Sequence, residues 1–365
     1  MADLCFYVTS HGFGHATRAA DVINHIPTDY AVEIISAAPG WLFEKSLTRP
    51  FSLYEMHHDS GIVQPHSFEQ DAAATYEVWK SLLDQYPEMA RAEAARIKQS
   101  GARVVVGDIS PFAVAVAREA GLPSVIVANF SWDWILRDSL PEEPRLQAVI
   151  EAIADLYGQA GLLLRTPLSP AMAVFPRRRD IALIARYSKQ SVAEARAQFG
   201  LDAEARVAML SFGGIGFSGI QPARLAAYPQ WTFLTFSEAL AGAPNARVLD
   251  HQATYHPDAV HAADVVIAKL GYGTVSECLV HQTPVAHPPR SRFPEHAVLQ
   301  HEAASSIQVI SLEAEPFFDA EWPFLESPWI PRKDPAFRVS PADPNTQGGG
   351  EAARILTGMV DEAAG

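Results

Sequence analysis

Short apolar runs rich in β-branched residues alternate with helix-like stretches along most of this chain. An apolar run of this length between two helices is typical of a strand buried in a parallel sheet. The apolar runs are Leu4–Val8, Val32–Ser36, Val104–Val106, Ser124–Ala128, Val207–Leu210, Thr232–Thr235, Val265–Ala268 and Pro284–Ala286. The helix-like stretches between them are Ala16–His25, Ala72–Gln99, Pro111–Ala120, Ala193–Phe199, Gly273–Val280 and Glu295–Ala304. This alternation predicts a doubly wound α/β architecture.

The alternation is interrupted once, by a Pro-rich and Arg-rich stretch, and then restarts. With 365 residues the chain is too long for one ordinary core, so two α/β domains are expected. We place the first Rossmann-like domain at 1–165, a linker at 166–180 and the second Rossmann-like domain at 181–345. Residues 346–365 read as a Gly-started helix that packs back towards the first domain. Ligands of doubly wound sheets bind outside the carboxyl ends of the strands, so we expect the two domains to face a central cleft.

Charge and composition exclude several classes of partner. The formal net charge is -14, whereas a nucleic-acid partner requires a basic footprint. No apolar run reaches the ~18 residues that a membrane span requires. The N-terminus lacks the basic and apolar regions of a signal peptide, and the two cysteines give no disulfide framework. The composition therefore predicts a cytoplasmic location, and it leaves the oligomeric state open.

The stretch "TSHGFGHATRAA" follows the first predicted strand and restarts as a helix. Its glycines, Gly14 among them, allow a tight loop, and His15 falls in the first helical turn, where a neutral imidazole can act as a base. Asp108, at the end of "VVVGD", is expected to hold one ring nitrogen of His15. Arg18 lies one turn further on, where it would meet a phosphate or solvate the helix face. His11 would help to shape the pocket.

The segment "AKLGYGTVSE" in the second half has the order strand, glycine loop, helix. The amides of Gly273 and Thr274 open a helix whose N-terminus suits a diphosphate. Glu277 lies one turn along and could accept two hydrogen bonds from a ribose diol. The alternative is that Thr274 and Glu277 form a capping box. A second glycine pair, Gly213 and Gly214, ends another predicted strand and is expected to contact the diphosphate.

Further candidates lie in loops. Glu295 begins a helix in "SRFPEH" and is expected to bind hydroxyl groups of a donor sugar, with His296 beside it. Asp59 and Gln64 in "HHDSGIVQPH", together with Trp132 in "NFSWDW", are polar or aromatic groups suited to an acceptor sugar. The alternative is that these stretches are ordinary connecting loops.

These linked motifs together resemble the GT-B glycosyltransferases. The stretches "YVTSHGFGHATR", "VVVGDISP", "VANFSWDWI", "SFGG", "KLGYGTVSE" and "GGGEAARIL" are similar to the glycosyltransferase-like N-terminal domain of plant L-arabinokinases. The segment from 262 to 300 resembles the donor half of the peptidoglycan N-acetylglucosaminyltransferase. No sugar-kinase half follows in this chain, so it looks like a free-standing relative of the arabinokinase domain.

The resemblance implies an inverting, metal-independent transferase that uses a nucleotide sugar, with UDP the expected nucleotide and no other cofactor. It gives His15 the role of base, Asp108 that of its support and Glu277 that of ribose ligand. Lys269 and Gly271 fall in the implied donor loop. Glu295-His296 replaces the Asp-Gln or Gln-Gln of the family, which leaves the donor sugar open. Two other functions remain, a sugar-nucleotide-binding regulatory module and a sugar-nucleotide epimerase or hydrolase on the same fold.

Overall fold

The computed structural model describes residues 2–65, 69–212, 219–290 and 292–363. The chain forms two compact units. The first unit contains Met1–Ile184, Arg292–Val298 and Gln347–Gly365, and the second contains Ala185–Ser291 and Leu299–Thr346.

The first unit is built on a seven-stranded sheet in which every neighbouring pair of strands is parallel. Its strands are β1 (Leu4–Val8), β2 (Val32–Ser36), β3 (Ser52–Glu55), β4 (Val104–Asp108), β5 (Ser124–Ala128), β6 (Leu162–Arg165) and β7 (Arg178–Asp180), in the order β3-β2-β1-β4-β5-β6-β7. The helices that follow these strands are α1 (Phe13–Asn24), α2 (Gly40–Ser46), α3 (Ala72–Ser100), α4 (Pro111–Ala120), α5 (Trp132–Ser139) and α6 (Leu146–Tyr157). β1, β4 and β5 are buried along their whole length, which explains their continuous apolar sequences.

The second unit repeats the plan with six parallel strands. They are β8 (Arg206–Ser211), β9 (Trp231–Thr235), β10 (Ala246–Val248), β11 (Val265–Ala268), β12 (Val285–His287) and β13 (Val309–Ser311), in the order β10-β9-β8-β11-β12-β13. The helices are α7 (Val192–Gln198), α8 (Pro222–Leu225), α9 (His256–Ala262), α10 (Tyr272–Val280), α11 (Pro294–Ala303) and α12 (Ala314–Phe318), of which α11 belongs to this unit only from Leu299 onwards. In each sheet the chain order reverses beside the first strand of the unit, as in other doubly wound sheets.

The last helix, α13 (Gly348–Glu362), belongs to the first unit. Its first residue donates a backbone hydrogen bond from Gly348 N to Leu183 O at 3.0 Å, and Glu351 Oε2 accepts one from Ala182 N at 3.0 Å. Tyr30 donates to Asp361 near the other end of the helix. α13 therefore packs on the unit that contains β1 and α1.

The stretch that the sequence marks as a linker contains a strand. β7 pairs with β6, and Arg165 Nε donates to Asp180 Oδ1 at 2.6 Å. The contact-defined boundary between the units falls later, after Ile184. β7 is an edge strand with all three residues exposed, so its charged composition resembles that of a connecting loop.

Candidate active site

His15 and Asp108 meet at the carboxyl edge of the first sheet. β1 and β4 are parallel neighbours in which Val8 pairs with Asp108, so the loop after β1 starts beside the Asp108 carboxyl. Gly12 caps α1 with a φ of 91°, a conformation that L side chains rarely adopt, and His15 follows as the third helical residue. His15 Nδ1 lies 2.7 Å from Asp108 Oδ1. The contact expected from the sequence is present.

This contact fixes the tautomer of His15. A carboxylate only accepts, so Nδ1 carries the proton and donates it to Asp108, which leaves the lone pair on Nε2. Nε2 makes no hydrogen bond to any residue that the structure describes. The His15 side chain is 11% exposed.

Arg18 forms a two-point hydrogen-bonded ion pair with Asp108. Its Nε donates to Asp108 Oδ2 and its Nη2 donates to Asp108 Oδ1, both at 2.8 Å, and the side chain is buried. Burial alone would raise the pKa of Asp108, but Arg18 and then His15 hold that pKa below its ordinary value of 3.8. The sequence expected Arg18 at a phosphate or in solvent, and the structure places it as the partner that keeps Asp108 ionised. A role for Arg18 in donor binding stays a prediction.

The same network extends from Arg18 to Glu295. Arg18 Nη1 donates to Asn129 Oδ1 at 2.6 Å, and Asn129 Nδ2 donates to Glu295 Oε1 at 2.8 Å. Residues 292–298 cluster with the first unit, and both Glu295 and the adjacent His296 are buried. Sequence reasoning missed Asn129, although its position directly after β5 marks it as a residue at a strand end.

Ile109, which follows Asp108, is strained. Its φ is 52°, in a region that β-branched residues rarely adopt. Its carbonyl accepts a hydrogen bond from Tyr157 Oη at 2.5 Å, and Ile109 forms an isolated bridge to Val8. The turn that ends β4 at Asp108 is therefore held from two sides. Strain of this kind is frequent at functional sites.

The predicted acceptor-side residues His11 and Trp132 are in contact. The edge of one ring faces the other at 5.4 Å between centroids. Gly61 packs on His11, because a Cβ at this position would lie 2.1 Å from Nδ1 of the imidazole. Trp79 Nε1 donates to Gly61 O at 3.3 Å and its ring lies 6.2 Å from that of Trp132.

Asp59 is buried beside this cluster. Its Oδ1 lies 3.7 Å from His58 Nδ1, and its charge is coupled to those of His15 and Asp108. Burial raises the pKa of Asp59, although His58, Thr9 and His15 act against that rise. Gln64 lies on the same loop as Asp59.

In the second unit, the predicted donor loop opens α10. Lys269 follows β11 directly, Gly271 is the N-cap of α10, and Gly273 and Thr274 lie in its first turn. Their amides are therefore among the N–H groups that an α-helix leaves unpaired at its start. Gly213 and Gly214 lie outside the described residues.

Glu277 is not part of a capping box, because no side chain caps α10. Its carboxylate is buried, and Oε1 accepts from Arg186 Nε at 3.0 Å and Nη2 at 2.5 Å. Oε2 lies 2.5 Å from His256 Nδ1. Burial alone would raise the pKa of Glu277, but Arg186 and His256 lower it to about 2. The capping-box alternative is wrong, since the Glu277 carboxylate contacts Arg186 and His256 instead of a backbone amide at the start of α10.

His256 continues this contact to Ser211, the last residue of β8. Ser211 Oγ and His256 Nε2 lie 3.0 Å apart. Arg186 and His256 were not among the residues expected from the sequence. Arg186 stands 91 positions before Glu277, and no local pattern marks it.

The described residues contain neither a membrane-spanning helix nor a cluster of metal-binding side chains. Within the described ranges, no helix is both long and apolar enough to span a bilayer. The described residues also contain no group of three or more His, Cys, Asp or Glu side chains placed to hold a metal ion.

Comparisons with known proteins give similarities both in sequence and in structure. No protein-family model matches the chain. The chain is 30% identical over 361 residues to L-arabinokinase of Arabidopsis thaliana, a match that covers 96% of this chain and 34% of that protein. The chain is therefore homologous to L-arabinokinase and spans about a third of its length.

Three solved structures illustrate the similarity of fold. UGT89C1 of Arabidopsis thaliana complexed with UDP matches with a TM-score of 0.63, 15% identity and 100% coverage of both chains. A UDP-glucosyltransferase from Polygonum tinctorium capable of glucosylating indoxyl gives a TM-score of 0.61, 14% identity and coverage of 100% and 94%. CalG4, the calicheamicin glycosyltransferase, matches with a TM-score of 0.61 and 14% identity, covering 99% of this chain and 98% of that chain.

These similarities establish the fold class as α/β of the GT-B type, as the sequence predicted. The predicted resemblance of the donor half to the peptidoglycan N-acetylglucosaminyltransferase is not shown by them and stays a prediction.

Proposed function

We propose that this protein is an inverting, metal-independent glycosyltransferase that moves a sugar from a nucleoside diphosphate, with UDP the preferred nucleotide, to an acceptor hydroxyl. The observation that carries the proposal is the state of His15. Its Nδ1 is held at 2.7 Å by a buried carboxylate, while Nε2 makes no hydrogen bond to any described residue and the side chain is 11% exposed. Imidazoles oriented by a carboxylate in this way act as general bases.

The reaction is a single displacement. His15 Nε2 takes the proton of the acceptor hydroxyl as that oxygen forms a bond to the anomeric carbon. The bond from this carbon to the diphosphate oxygen breaks, and the diphosphate leaves with the electron pair. Attack opposite the leaving group inverts the configuration. Asp108 stabilises the imidazolium that forms, and Arg18 ensures that Asp108 is ionised when this happens.

The donor diphosphate is proposed to bind at the start of α10. The unpaired amides of Gly273 and Thr274 and the partial positive charge of the helix N-terminus favour an anion there, and Lys269 adds a cation beside it. Gly14, Gly213 and Gly214 complete the proposed contacts to the diphosphate. Stabilisation of the leaving group by such preorganised donors is worth roughly a few kcal/mol.

Glu277 is proposed to bind the ribose, which requires that one of its existing hydrogen bonds be broken. Both carboxylate oxygens are occupied, by Arg186 and by His256. A ribose diol reaches Glu277 only if one of these two groups yields a hydrogen bond. We therefore propose that nucleotide binding moves His256, whose side chain is 24% exposed, rather than the less exposed Arg186.

A second candidate function is a nucleotide-sugar sensor. L-arabinokinase is by its name a kinase, and this chain matches only about a third of its length. A module of a kinase could report on a sugar nucleotide without consuming it. A sensor requires the proposed nucleotide site in the second unit, but it does not require a general base such as the carboxylate-bound His15.

The experiment that separates the two functions incubates the full chain with candidate UDP-sugars and a broad acceptor mixture. Transfer releases free nucleotide and forms a glycoside, which are measured separately by chromatography and mass spectrometry. The transferase is supported if both appear together without added metal and in the presence of a chelator. Donors that bind tightly and stay intact, with neither transfer nor slow hydrolysis, would establish the sensor instead.

A further inference from the structure

Several buried polar side-chain atoms of the first unit lack a hydrogen-bond partner among the described residues, and three of them belong to residues that the sequence assigns to the acceptor side. These three are the carboxylate oxygen Asp59 Oδ2, the amide oxygen Gln64 Oε1 and the indole nitrogen Trp132 Nε1. Asp59 is 3% exposed and Trp132 is completely buried. A buried polar group without a hydrogen bond is destabilising, so such groups are rare unless something else pairs with them.

The surroundings connect two of these atoms to His15. Asp59 is electrically coupled to His15, and Trp132 contacts His11 in the loop that leads into α1. Backbone amide N of His11 donates to Thr9 Oγ1 at 3.3 Å, and Thr9 is also a neighbour of Asp59. Gln64 follows on the loop from Asp59 through Gly61, which packs on the His11 ring. Asp59 and the contact partner of Trp132 are thus connected to the candidate base, and Gln64 lies on the same loop as Asp59.

The chemistry of the three atoms restricts their ligand. Two of them accept hydrogen bonds when Asp59 is ionised, and the indole N–H donates. A hydroxyl group both donates and accepts, so it can pair with all three atoms and with Asp59 in either protonation state. A flat aromatic molecule would leave most of them unpaired. An anionic ligand would meet the Asp59 carboxyl without a cation of its own, because Arg18 is bonded to Asp108 and Asn129.

We propose that the acceptor is a neutral, compact polyhydroxylated molecule, a sugar or cyclitol, whose hydroxyl groups pair with Asp59, Gln64 and Trp132 beside His15. The role of this ligand as acceptor depends on the proposed transferase function, whereas the binding of a polyol at this site does not. A site built to bond hydroxyl groups rejects molecules that lack them by a large factor.

The test measures binding without any donor. The full chain is titrated calorimetrically with glucose, galactose, xylose and myo-inositol, with phenol and naphthol as flat aromatic probes, and with glucose phosphate as the anionic probe. We expect at least one neutral polyol to bind, and we expect the aromatic and anionic probes to bind at least tenfold more weakly.

Two pairs of variants locate the site. Asp59→Asn keeps the shape and removes the charge, and it should weaken polyol binding by about tenfold. Trp132→Phe removes the indole N–H and should weaken it by about fivefold. Asp258→Asn is the matched carboxyl control, because Asp258 is also buried, with a pKa raised by burial, in the second unit. Trp322→Phe is the matched indole control, because Trp322 Nε1 is likewise buried and unpaired. Both controls should bind polyol as the parent does.

The outcomes separate this inference from the transferase itself. Polyol binding that depends on Asp59, without transfer from any nucleotide sugar, would keep the polyol site and remove the transferase. Transfer to naphthol that is unaffected by Asp59→Asn would keep the transferase and overturn the polyol acceptor. Absence of binding by every polyol, or binding that neither variant weakens while both remain folded by circular dichroism, would also overturn it.

Discussion

His15 Nδ1 lies 2.7 Å from Asp108 Oδ1, although 93 positions separate the two residues in the chain. The distance is short because β1 and β4 are parallel neighbours: Asp108 ends β4, and His15 lies in the first turn of the helix that follows β1, so both residues are at the carboxyl edge of the sheet. The two residues come together only when the sheet forms, because each lies on a different segment of the chain. The pair is the part of the molecule on which the proposed chemistry depends most directly.

Replacing His15 by Ala should lower turnover by about 100-fold to 10,000-fold, the usual effect of removing a general base. Nucleotide binding should stay nearly unchanged, because His15 is not part of the proposed donor site. Asp108→Asn should act in the same direction with a smaller effect. His25→Ala, at the exposed end of the same helix, is the control and should leave turnover unaltered. Steady-state kinetics with calorimetry of UDP binding provides both readouts, and full activity of His15→Ala would refute the assignment of the base.

Replacing Arg18 by Met should destabilise the protein by about 3–5 kcal/mol at neutral pH, because it leaves Asp108 buried without its cation. Burial favours the neutral form of Asp108 and only His15 would then oppose it, so we expect the pKa of Asp108 to rise above 3.8 in the variant. The folded variant then binds more protons than the unfolded chain, so its stability rises as the pH falls through that raised pKa. Urea unfolding at several pH values should show the difference from the parent shrinking towards acid pH. A difference that is the same at every pH would contradict this account of Asp108.

Replacing Glu277 by Gln should remove a pH-dependent contribution to stability. The pKa of Glu277 falls from 4.5 to about 2 on folding, which corresponds to roughly 3 kcal/mol. Because the folded pKa is depressed, this contribution is fully present above pH 4.5 and is lost as the pH falls towards 2. The parent and Glu277→Gln should therefore differ most near neutrality and converge in acid, as followed by denaturant unfolding. Glu238→Gln, an exposed site in the same unit, serves as the control.

Replacing Glu295 by Ala should change the choice of donor sugar more than the affinity for bare UDP. Glu295 bonds Asn129, which holds Arg18, so its loss removes a proposed sugar ligand and loosens the network that ends at His15. Competition between pairs of UDP-sugars gives the selectivity, and calorimetry gives the affinity for UDP. Glu302→Ala on the same helix is the matched control. If selectivity is unaltered while UDP affinity drops, Glu295 contacts the nucleotide rather than the sugar.

The sequence by itself determined the class of fold. Buried strands leave mainly apolar runs, and four strands, β1, β2, β5 and β11, have the predicted bounds. Edge strands were missed because one or both of their faces are exposed and their composition is that of loops, as in β3 and β7. The glycine loops and the first turns of α1 and α10 were also readable, because local backbone geometry restricts which residues can stand there.

Tertiary structure decided the partners of the charged groups. Arg18 is bonded to Asp108 rather than to solvent, Glu295 reaches Asn129 across 166 positions, and Glu277 is held by Arg186 and His256. The physical reason is that a buried charge is stable only with a partner, and the partner is whichever opposite or polar group folding brings within about 3 Å. Local sequence states which groups need partners, whereas the packing of distant strands and helices determines which partners they obtain.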